Sequence, residues 1–203
     1  MERSFNYSLD AVPRRPAYDR DALIDRARDL FWQRGWAGTS MKDLEAALDL
    51  RPGSFYAAFG SKDALYGLAL DRYAAEGTAR LDALADEHGP LGALKAHLHH
   101  VATPRKGASS ACMLARTLLE LKAQEHALAD RASDHLDAME ARFAALFRAA
   151  QAGGEIAPDR DPERLARRYQ SNLLGLRVSA ERPDLDAAAL AAELADDLDR
   201  LAA

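Results

Sequence analysis

The segment from residue 38 to residue 63 contains several helix start and stop signals, and these constrain the fold more than any other feature of the chain. Ser40 is a good cap for a short helix, and Pro52 suits the first position of the next helix because its φ is fixed and it lacks an N–H. Gly60 ends that helix. Two short helices joined by the three-residue turn 49–51 meet the sequence requirements of a helix-turn-helix.

Amphipathic patterns extend this reading on both sides. Upstream, Asp19 is the predicted cap and Gly35 the predicted end of a helix whose apolar stripe is Leu23, Ala27, Leu30 and Phe31. A longer helix is expected to begin after Ser61 and to run to about residue 85. Helical patterns then recur over about 91–102, 109–123, 126–151, 161–179 and 185–202, and no strand pattern competes with them. The sequence therefore predicts an all-α fold of about nine helices.

The helix that starts at Pro52 has two faces of different composition. Phe55 and Phe59 are expected to be buried, whereas the other face carries small and polar residues. A helix that enters a DNA major groove, about 12 Å wide, needs large groups turned inward and small or polar groups turned outward. The sequence thus predicts close approach to bases at Gly53, Ser54, Ala57 and Ala58, and a phosphate contact for the hydroxyl of Tyr56.

Composition narrows the classes of function. The chain has a net charge of -5, and residues 1–63 contain equal numbers of basic and acidic residues, so the acidic excess lies in the remainder. A neutral N-terminal part is compatible with DNA binding if its bases line one face. The longest apolar runs are too short to cross a membrane, and the N-terminus lacks the apolar core of a secretory signal, so a cytoplasmic location is expected. One cysteine, Cys112, excludes an intramolecular disulfide.

The stretch TSMKDLEAALDLRPGSFYAAFGSKDAL, residues 39–65, resembles the signature of TetR-type regulators, and the resemblance covers some 45 residues when 19–35 are included. It implies a helix-turn-helix domain followed by a helical ligand-sensing and dimerisation domain. The domains are then expected at 18–64 and 65–203, after a flexible arm at 1–17. Arg14 and Arg15 of this arm are interpreted as solvated charge in preference to a minor-groove contact. The implied partner is a double-stranded DNA operator.

The family's DNA contacts carry over to Thr39, Ser40, Ser54, Tyr56 and Lys62. The sequence departs from the family pattern in having Asp49 where a turn glycine is usual and Arg51-Pro52 where Ser-Lys is usual. Asp tolerates left-handed backbone angles, so the turn is expected to survive. We expect Arg51 to take over a backbone or base contact. The full predicted DNA-binding set is Thr39, Ser40, Arg51, Pro52, Gly53, Ser54, Tyr56, Ala57 and Lys62.

The later helices resemble the TetR C-terminal domain in number and order, and in particular its acrylate- and electrophile-responsive type. The resemblance implies a homodimer formed by the last two helices, with matching apolar stripes, although such stripes also occur in plain intrachain cores. The predicted interface is Leu165, Tyr169, Leu173, Leu176, Leu190, Leu194 and Leu198. A small-molecule pocket is expected among the middle helices, with Cys112, Met113, Arg116, Thr117, Phe143, Phe147 and Asn172 as candidate ligand-binding or sensing residues.

Cys112 begins the helix ACMLARTLLELKA, near Arg105, Lys106 and Arg116. A helix N-terminus and nearby cations favour thiolate, and some repressors that resemble this chain sense electrophiles through a cysteine at the start of this helix. Quiet packing of the thiol is the other reading. His97 and His100 share a face, but two ligands do not make a metal site.

The sequence predicts no catalytic residues, metal or cofactor, and therefore no enzyme. The favoured function is a repressor that a small molecule or a reactive electrophile releases from its operator. The alternative is a helical ligand-binding protein or enzyme that does not bind DNA.

Overall fold

The structure, a computed structural model, describes residues 18–103 and 109–201, and across these residues the chain is helical without any strand. The all-α prediction is confirmed, while the predicted arm at 1–17 lies outside the described residues. No helix within the two described ranges is long and apolar enough to cross a membrane. The helices are α1 (Arg20–Arg34), α2 (Met41–Leu48), α3 (Pro52–Phe59), α4 (Lys62–Ala102), α5 (Met113–Leu121), α6 (Ala127–Ala152), α7 (Pro162–Ser179) and α8 (Ala187–Asp199), with a short 3-10 turn at Lys122–Gln124.

The two helices that the sequence predicts on either side of Gly89-Pro90 are present, and they join end to end as the single run α4. Gly89 interrupts α4 with φ 72° and ψ 175°, and Pro90 follows it inside the helix. Glycine adopts this left-handed φ without steric cost, and proline is tolerated at the first turn of a helix. The chain therefore bends at residue 89 and continues as a helix, which accounts for eight helices in the described residues against about nine expected.

The predicted helix ends in the N-terminal part are confirmed. The carboxylate of Asp19 accepts hydrogen bonds from the backbone N–H groups of Asp21 and Ala22 at 3.0 and 3.3 Å. Ser40 and Asp43 form a reciprocal capping box at the start of α2. Asp49 ends α2 in the left-handed region, with φ 54° and ψ 46°, so the turn without glycine keeps its geometry.

The core has two parts, and α4 contributes to both. One part packs α1, α2, α3 and the start of α4 against α5 and the beginning of α6, with Phe31, Phe55 and Tyr66 among its largest buried side chains. The other lies among the second half of α4, α6, α7 and α8, around Phe143 and Phe147. The N-terminal helices thus share one core with α5 and the beginning of α6.

The start of α5 differs from the sequence prediction, since the helix was expected from residue 109 and begins at Met113 with Cys112 as its cap. The carboxylate of Glu181 explains the difference. It accepts hydrogen bonds from the hydroxyl of Ser109 at 2.8 Å, from the backbone N–H of Ala111 at 2.9 Å and from the backbone N–H of Ser110. These groups bind a carboxylate on another element, which holds residues 109–111 out of the helix.

The predicted interface needs correction for three of its seven residues. Tyr169, Leu173 and Leu198 are buried in the chain's own core, where their side chains pack among α4, α6 and α7. Leu176 is buried as well, but it also lines a groove on the outer side of α7 and α8. The other three predicted residues are half-buried at the edge of the same core: Leu165, Leu190 and Leu194. The apolar stripe on α7 and α8 is therefore mainly an intrachain packing surface.

Candidate functional site

Helix α3 presents one buried and one exposed face. Phe55 is fully buried and Phe59 nearly so, and they pack against α1, α2 and α4. Tyr56 lies between them in sequence with 53% of its surface exposed, and its ring meets that of Phe55 edge to face at 5.6 Å. The remaining predicted contact residues of this helix and its cap are exposed: Arg51, Pro52, Gly53, Ser54 and Ala57. The outward face of α3 is thus the small and polar face that the sequence indicated.

Two predicted phosphate contacts at the start of α2 have different surroundings. Thr39 is fully buried, and its hydroxyl donates to the backbone carbonyl of Gly35 at 2.7 Å. This corrects the prediction for Thr39, because a side chain committed inside the protein cannot contact DNA. Ser40 is exposed, but its hydroxyl donates to the Asp43 carboxylate at 2.6 Å and accepts from the backbone N–H of Asp43. Hydrogen bonds from Ser40 and, after them, Arg34 lower the pKa of Asp43 to about 2, so this cap is anionic.

The cations beside α3 are placed differently from each other. The ammonium of Lys62, at the start of α4, lies 4.3 Å from the centre of the Trp36 ring, and burial lowers the pKa of this lysine. The indole N–H of Trp36 donates to the carboxylate of Asp63 at 2.7 Å, which fixes the ring beneath the lysine. Arg51 caps α3 through its backbone, and its side chain is exposed. Both cations flank the outward face of α3.

A cavity of about 90 Å³ lies between α4, α5, α6 and α7, in the region where the sequence predicted a ligand pocket. Most of its wall is apolar: Trp32, Val101, Leu114, Leu136, Met139, Phe143, Leu173 and Leu174 are among the lining residues. Its volume is well below the ~300–1,000 Å³ of typical pockets for drug-sized ligands. The cavity therefore has room for a ligand of a few non-hydrogen atoms and not for a drug-sized one.

The polar part of the cavity wall comes from α4, α7 and the segment before α5. It includes two arginines, Arg80 and Arg177, and two histidines, His97 and His100. Arg80 lies 3.0 Å from the imidazole of His100, and Arg177 donates to the carbonyl of Ser110 at 3.2 Å. The sequence analysis missed these arginines. They lie far apart in the chain, and an isolated arginine in a helix gives no signal that distinguishes a cavity wall from a solvated surface.

A buried hydrogen-bond chain backs this polar wall. Tyr169 donates to the carbonyl of Leu94 at 2.9 Å, so Nδ1 of His97, at 3.2 Å from the same hydroxyl, is the donor to it. Burial, together with the positive charges of Arg177, His100 and Arg80, lowers the pKa of His97 to about 3. His97 is therefore neutral.

The predicted ligand-binding residues are only partly brought together. Cys112 and Phe143 line the cavity, and the Cys112 thiol lies beside the hydroxyl of Tyr73, another lining residue. Three of the other predicted residues lie away from the cavity, since Met113 and Thr117 are buried in the core and Arg116 faces α1. Phe147 and Asn172 line a smaller pocket of about 40 Å³ among α4, α6, α7 and α8. Arg105 and Lys106, expected beside the thiol, lie outside the described residues.

Helix α5 connects the cavity to the N-terminal helices. The guanidinium of Arg116 donates to the carbonyls of Gln33 and Arg34 at 3.1 and 2.9 Å, at the end of α1. One turn later, the carboxylate of Glu120 accepts from the backbone N–H groups of Trp36 and Ala37 at 3.2 and 2.8 Å. Because Arg116 donates to backbone carbonyls and Glu120 accepts from backbone N–H groups, the pair binds both kinds of backbone group at the turn that follows α1.

The described surface of α7 and α8 has a groove that is separate from the cavity. It has a volume of about 560 Å³ and is lined by residues that include Asn172, Gly175, Leu190 and Leu194. Val178, one turn beyond Gly175 on α7, is 63% exposed. This outer surface combines small and apolar residues with charged ones, since Glu193, Asp196, Asp197 and Arg200 also line the groove.

Comparison with known proteins agrees with this architecture. Residues 23–68 match the family described as "Bacterial regulatory proteins, tetR family", and residues 90–182 match "Tetracyclin repressor-like, C-terminal domain". The HTH-type transcriptional repressor ComR of Escherichia coli strain K12 is 29% identical over 167 residues, which cover 80% of this chain and 80% of ComR.

Solved structures show the same relationship over nearly the whole chain. A cysteine mutant of the TetR family transcriptional regulator CifR, complexed with 26bp double-strand operator DNA, has 30% identity and a TM-score of 0.77, covering 94% of this chain and 100% of that one. Reduced NemR of Escherichia coli shares the fold, with a TM-score of 0.78 at 18% identity over 91% of this chain and 97% of NemR. The chain therefore belongs to the TetR family, and it is a DNA-binding transcriptional regulator.

Proposed function

We propose that this protein is a homodimeric repressor that reads its operator with the outward face of α3 and leaves the operator when a small effector occupies the cavity. The observation that carries the DNA-reading part is the division of α3. Ser54 and Tyr56 face solvent, while Phe55 and Phe59 anchor the helix from behind. A recognition helix needs this arrangement, because its contact side chains must reach base edges while its other face stays packed.

The contacts expected on DNA follow from the geometry. Ser54 and Ala57 allow the backbone of α3 to approach base edges closely, and Tyr56 and Arg51 extend from its exposed face. Lys62 adds a cation where the next helix begins, a place that favours phosphate.

A gel-shift titration at stated salt, on the promoter DNA beside the protein's own gene, tests the DNA-reading part. Tyr56→Ala is expected to weaken specific operator binding about tenfold or more. Tyr56→Phe is expected to lose only the affinity that the hydroxyl contributes and to retain the affinity that comes from ring contacts. Leu119→Ala is the matched control, because Leu119 is 83% exposed on α5, away from α3. Unchanged affinity in both Tyr56 variants would contradict the proposed reading face.

The dimer is proposed to form through the outer surface of α7 and α8. Gly175 allows close approach of a partner helix, and Val178, Leu190 and Leu194 supply apolar contacts around the groove. A twofold axis there would place two α3 helices for two operator half-sites, which doubles the contacts of a small reading domain. Leu194→Glu is expected to give a monomer in light scattering with little loss of helix, and a dimer of unchanged stability would count against this surface.

The release step is proposed to run through α5. Its first turn, with Cys112 and Leu114, forms part of the cavity wall, while Arg116 and Glu120 hold the end of α1. An effector that binds better when the start of α5 is displaced would shift α1, and with it the reading head, by differential binding to two states. Filling the cavity with Gly77→Leu is expected to preserve operator binding and abolish release. Gly77 lines the cavity, and a Cβ added at this position would meet the flexible end of the Met139 side chain at 3.4 Å.

A covalent form of the same signal is a second candidate, because Cys112 is the cap of α5 and lies in the cavity wall. Its sulfur would add to the β-carbon of an electron-poor alkene, forming one C–S bond, while the thiol proton ends on the α-carbon. The expected result is an adduct of one electrophile per chain by mass spectrometry, with loss of operator binding. Cys112→Ser should form no adduct and should stay bound to the operator when the electrophile is added. A Cys112→Ser protein that still releases DNA on addition of the electrophile would refute this form.

A further inference from the structure

We propose that the effector of this cavity is a small organic carboxylate, whose anionic head lies against Arg177 and Gln170 on α7 and whose carbon chain lies along the apolar wall. This inference rests on the proposed ligand-controlled function and names the chemical class of the ligand. It follows from the charges, the unpaired polar group and the size of the cavity.

The charges of the cavity wall are predominantly positive. Arg80 and Arg177 line the cavity, and Glu76 is the carboxylate that lines it with them. The carboxylate of Glu76 forms a salt bridge with Arg28 of α1, a residue that also pairs with Asp25 and Asp29. Two arginines thus line the cavity against one carboxylate that is bound towards α1, and this balance favours an anionic ligand.

Arg177 is the best placed of these cations to bind an anion. One of its terminal nitrogens donates to the carbonyl of Ser110 at 3.2 Å, and the described residues contain no carboxylate that forms a salt bridge with it. A guanidinium has five N–H donors in a planar fork that matches a carboxylate. Most of its donor capacity thus remains for a ligand.

Gln170 provides a second, independent indication. Its side-chain oxygen is buried and has no hydrogen-bond partner, and the residue lines the cavity less than two turns of α7 before Arg177. A buried amide without a partner is unfavourable, and a polar ligand would satisfy it. Rotation of the terminal amide by half a turn exchanges its oxygen and nitrogen, so Gln170 can donate to a carboxylate.

The rest of the wall distinguishes an organic acid from an inorganic anion. Opposite the polar end, Leu114, Met139 and Phe143 offer only apolar surface. A phosphate or sulfate ion would leave this surface without contacts, whereas a short carbon chain would cover it. The cavity volume of about 90 Å³ restricts the ligand to few carbon atoms.

Calorimetric titration of the full-length protein with butyrate, butyramide and inorganic phosphate tests the inference, because the first two have nearly the same shape and differ in charge. We expect butyrate to bind at least tenfold more tightly than butyramide, and phosphate to bind more weakly than butyrate. Arg177→Met should remove the preference for butyrate, and Arg177→Lys should restore part of it. Arg182→Met is the matched control, since Arg182 pairs with Asp184 at the surface.

A second variant keeps the test decisive if Arg177→Met does not fold. Gln170→Glu retains the size of the side chain and adds a negative charge at the proposed head site, so it should abolish butyrate binding and leave butyramide binding unchanged. Equal affinity of the wild type for butyrate and butyramide would overturn the inference. Equal affinity for butyrate in the wild type, Arg177→Met and Gln170→Glu would overturn it as well. Phosphate binding as tight as butyrate binding would also overturn it, in favour of an inorganic anion.

A parallel gel shift separates this inference from the proposed function. Release of operator DNA by butyramide but not by butyrate, lost in Gly77→Leu, would uphold ligand-controlled release and reject the carboxylate. Butyrate binding that depends on Arg177 but leaves DNA affinity unchanged would uphold the anion site and reject release through this cavity.

Discussion

The hydrogen bond between Tyr66 of α4 and Thr117 of α5 allows the contact between the DNA-reading half and α5 to be measured directly. Tyr66 is fully buried, and its hydroxyl lies 2.7 Å from that of Thr117. The Thr117 hydroxyl donates to the carbonyl of Met113 at 2.8 Å, so the proton between the two side chains comes from Tyr66. Replacing Thr117 with valine keeps the shape of the side chain and removes the acceptor.

The expected magnitude follows from what each variant leaves unpaired. Thr117→Val buries the Tyr66 hydroxyl without a partner and should cost about 1–3 kcal/mol of unfolding free energy. Tyr66→Phe leaves Thr117 bonded to Met113 and should cost about 0.5–1.5 kcal/mol. In the double variant no polar group is orphaned, so its cost should be close to that of Tyr66→Phe alone, and the coupling should be close to the cost of Thr117→Val, about 1–3 kcal/mol. For a chain of this size, 1 kcal/mol corresponds to a Tm change of about 2–4 °C.

Urea unfolding followed by circular dichroism, at one fixed protein concentration because the protein is proposed to dimerise, provides the four free energies of the cycle. The wild type, the two single variants and the double variant should also be compared in operator binding. Strictly additive losses would refute the reasoning, since they would mean that Thr117→Val leaves no buried donor behind.

Three further predictions concern the turn after α1 and the buried tyrosine. Gly35 and Gly154 both have φ 76°, but a Cβ on Gly35 would lie 2.9 Å from side-chain atoms of Arg116 and Glu120, whereas a Cβ on Gly154 would meet open space. In thermal melting, Gly35→Ala should therefore lose more stability than Gly154→Ala, and equal losses would show that the contact is unimportant. Glu120→Gln should weaken operator binding several-fold at constant helix content, because a neutral amide accepts the two N–H bonds of the turn less strongly; unchanged gel shifts would contradict this. Burial raises the pKa of Tyr66 from 10 to about 12, so the stability that this neutral phenol provides is intact below pH 10 and is lost as the pH rises towards 12. When unfolding is measured between pH 10 and 12, Tyr66→Phe should therefore lose less stability than the wild type.

Features set by residues close together in sequence were predictable. The capping box of Ser40, the start of α3 at Pro52 and the left-handed Asp49 each depend on a few neighbouring residues, and the structure confirms all three. The exposed face of α3 was also predictable, because two phenylalanines four residues apart define the buried side of so short a helix.

Features that depend on which element a helix meets were not predictable from one sequence. The periodicity of α7 identifies an apolar stripe but not its partner, and Tyr169 and Leu173 proved to pack inside the chain rather than against a second copy. Thr39 has a polar side chain, yet it is buried because its hydroxyl donates a hydrogen bond to the backbone carbonyl of Gly35. The cavity arginines lie on α4 and α7, and only the packing of those helices brings them to one wall.

The length of α5 fits the ligand-controlled release that we propose for this protein. It has nine residues, fewer than the ~12–15 that an isolated helix needs to be even marginally stable in water, so tertiary contacts fix its position. Those contacts are divided among three regions: the cavity at Cys112, the reading half at Tyr66, and the end of α1 at Glu120. A ligand that changes the first set changes the balance among all three. The effect on DNA affinity cannot exceed the ligand's own preference between the two positions of α5, and couplings of about 1–3 kcal/mol, or 5–150-fold, are typical of such linkage.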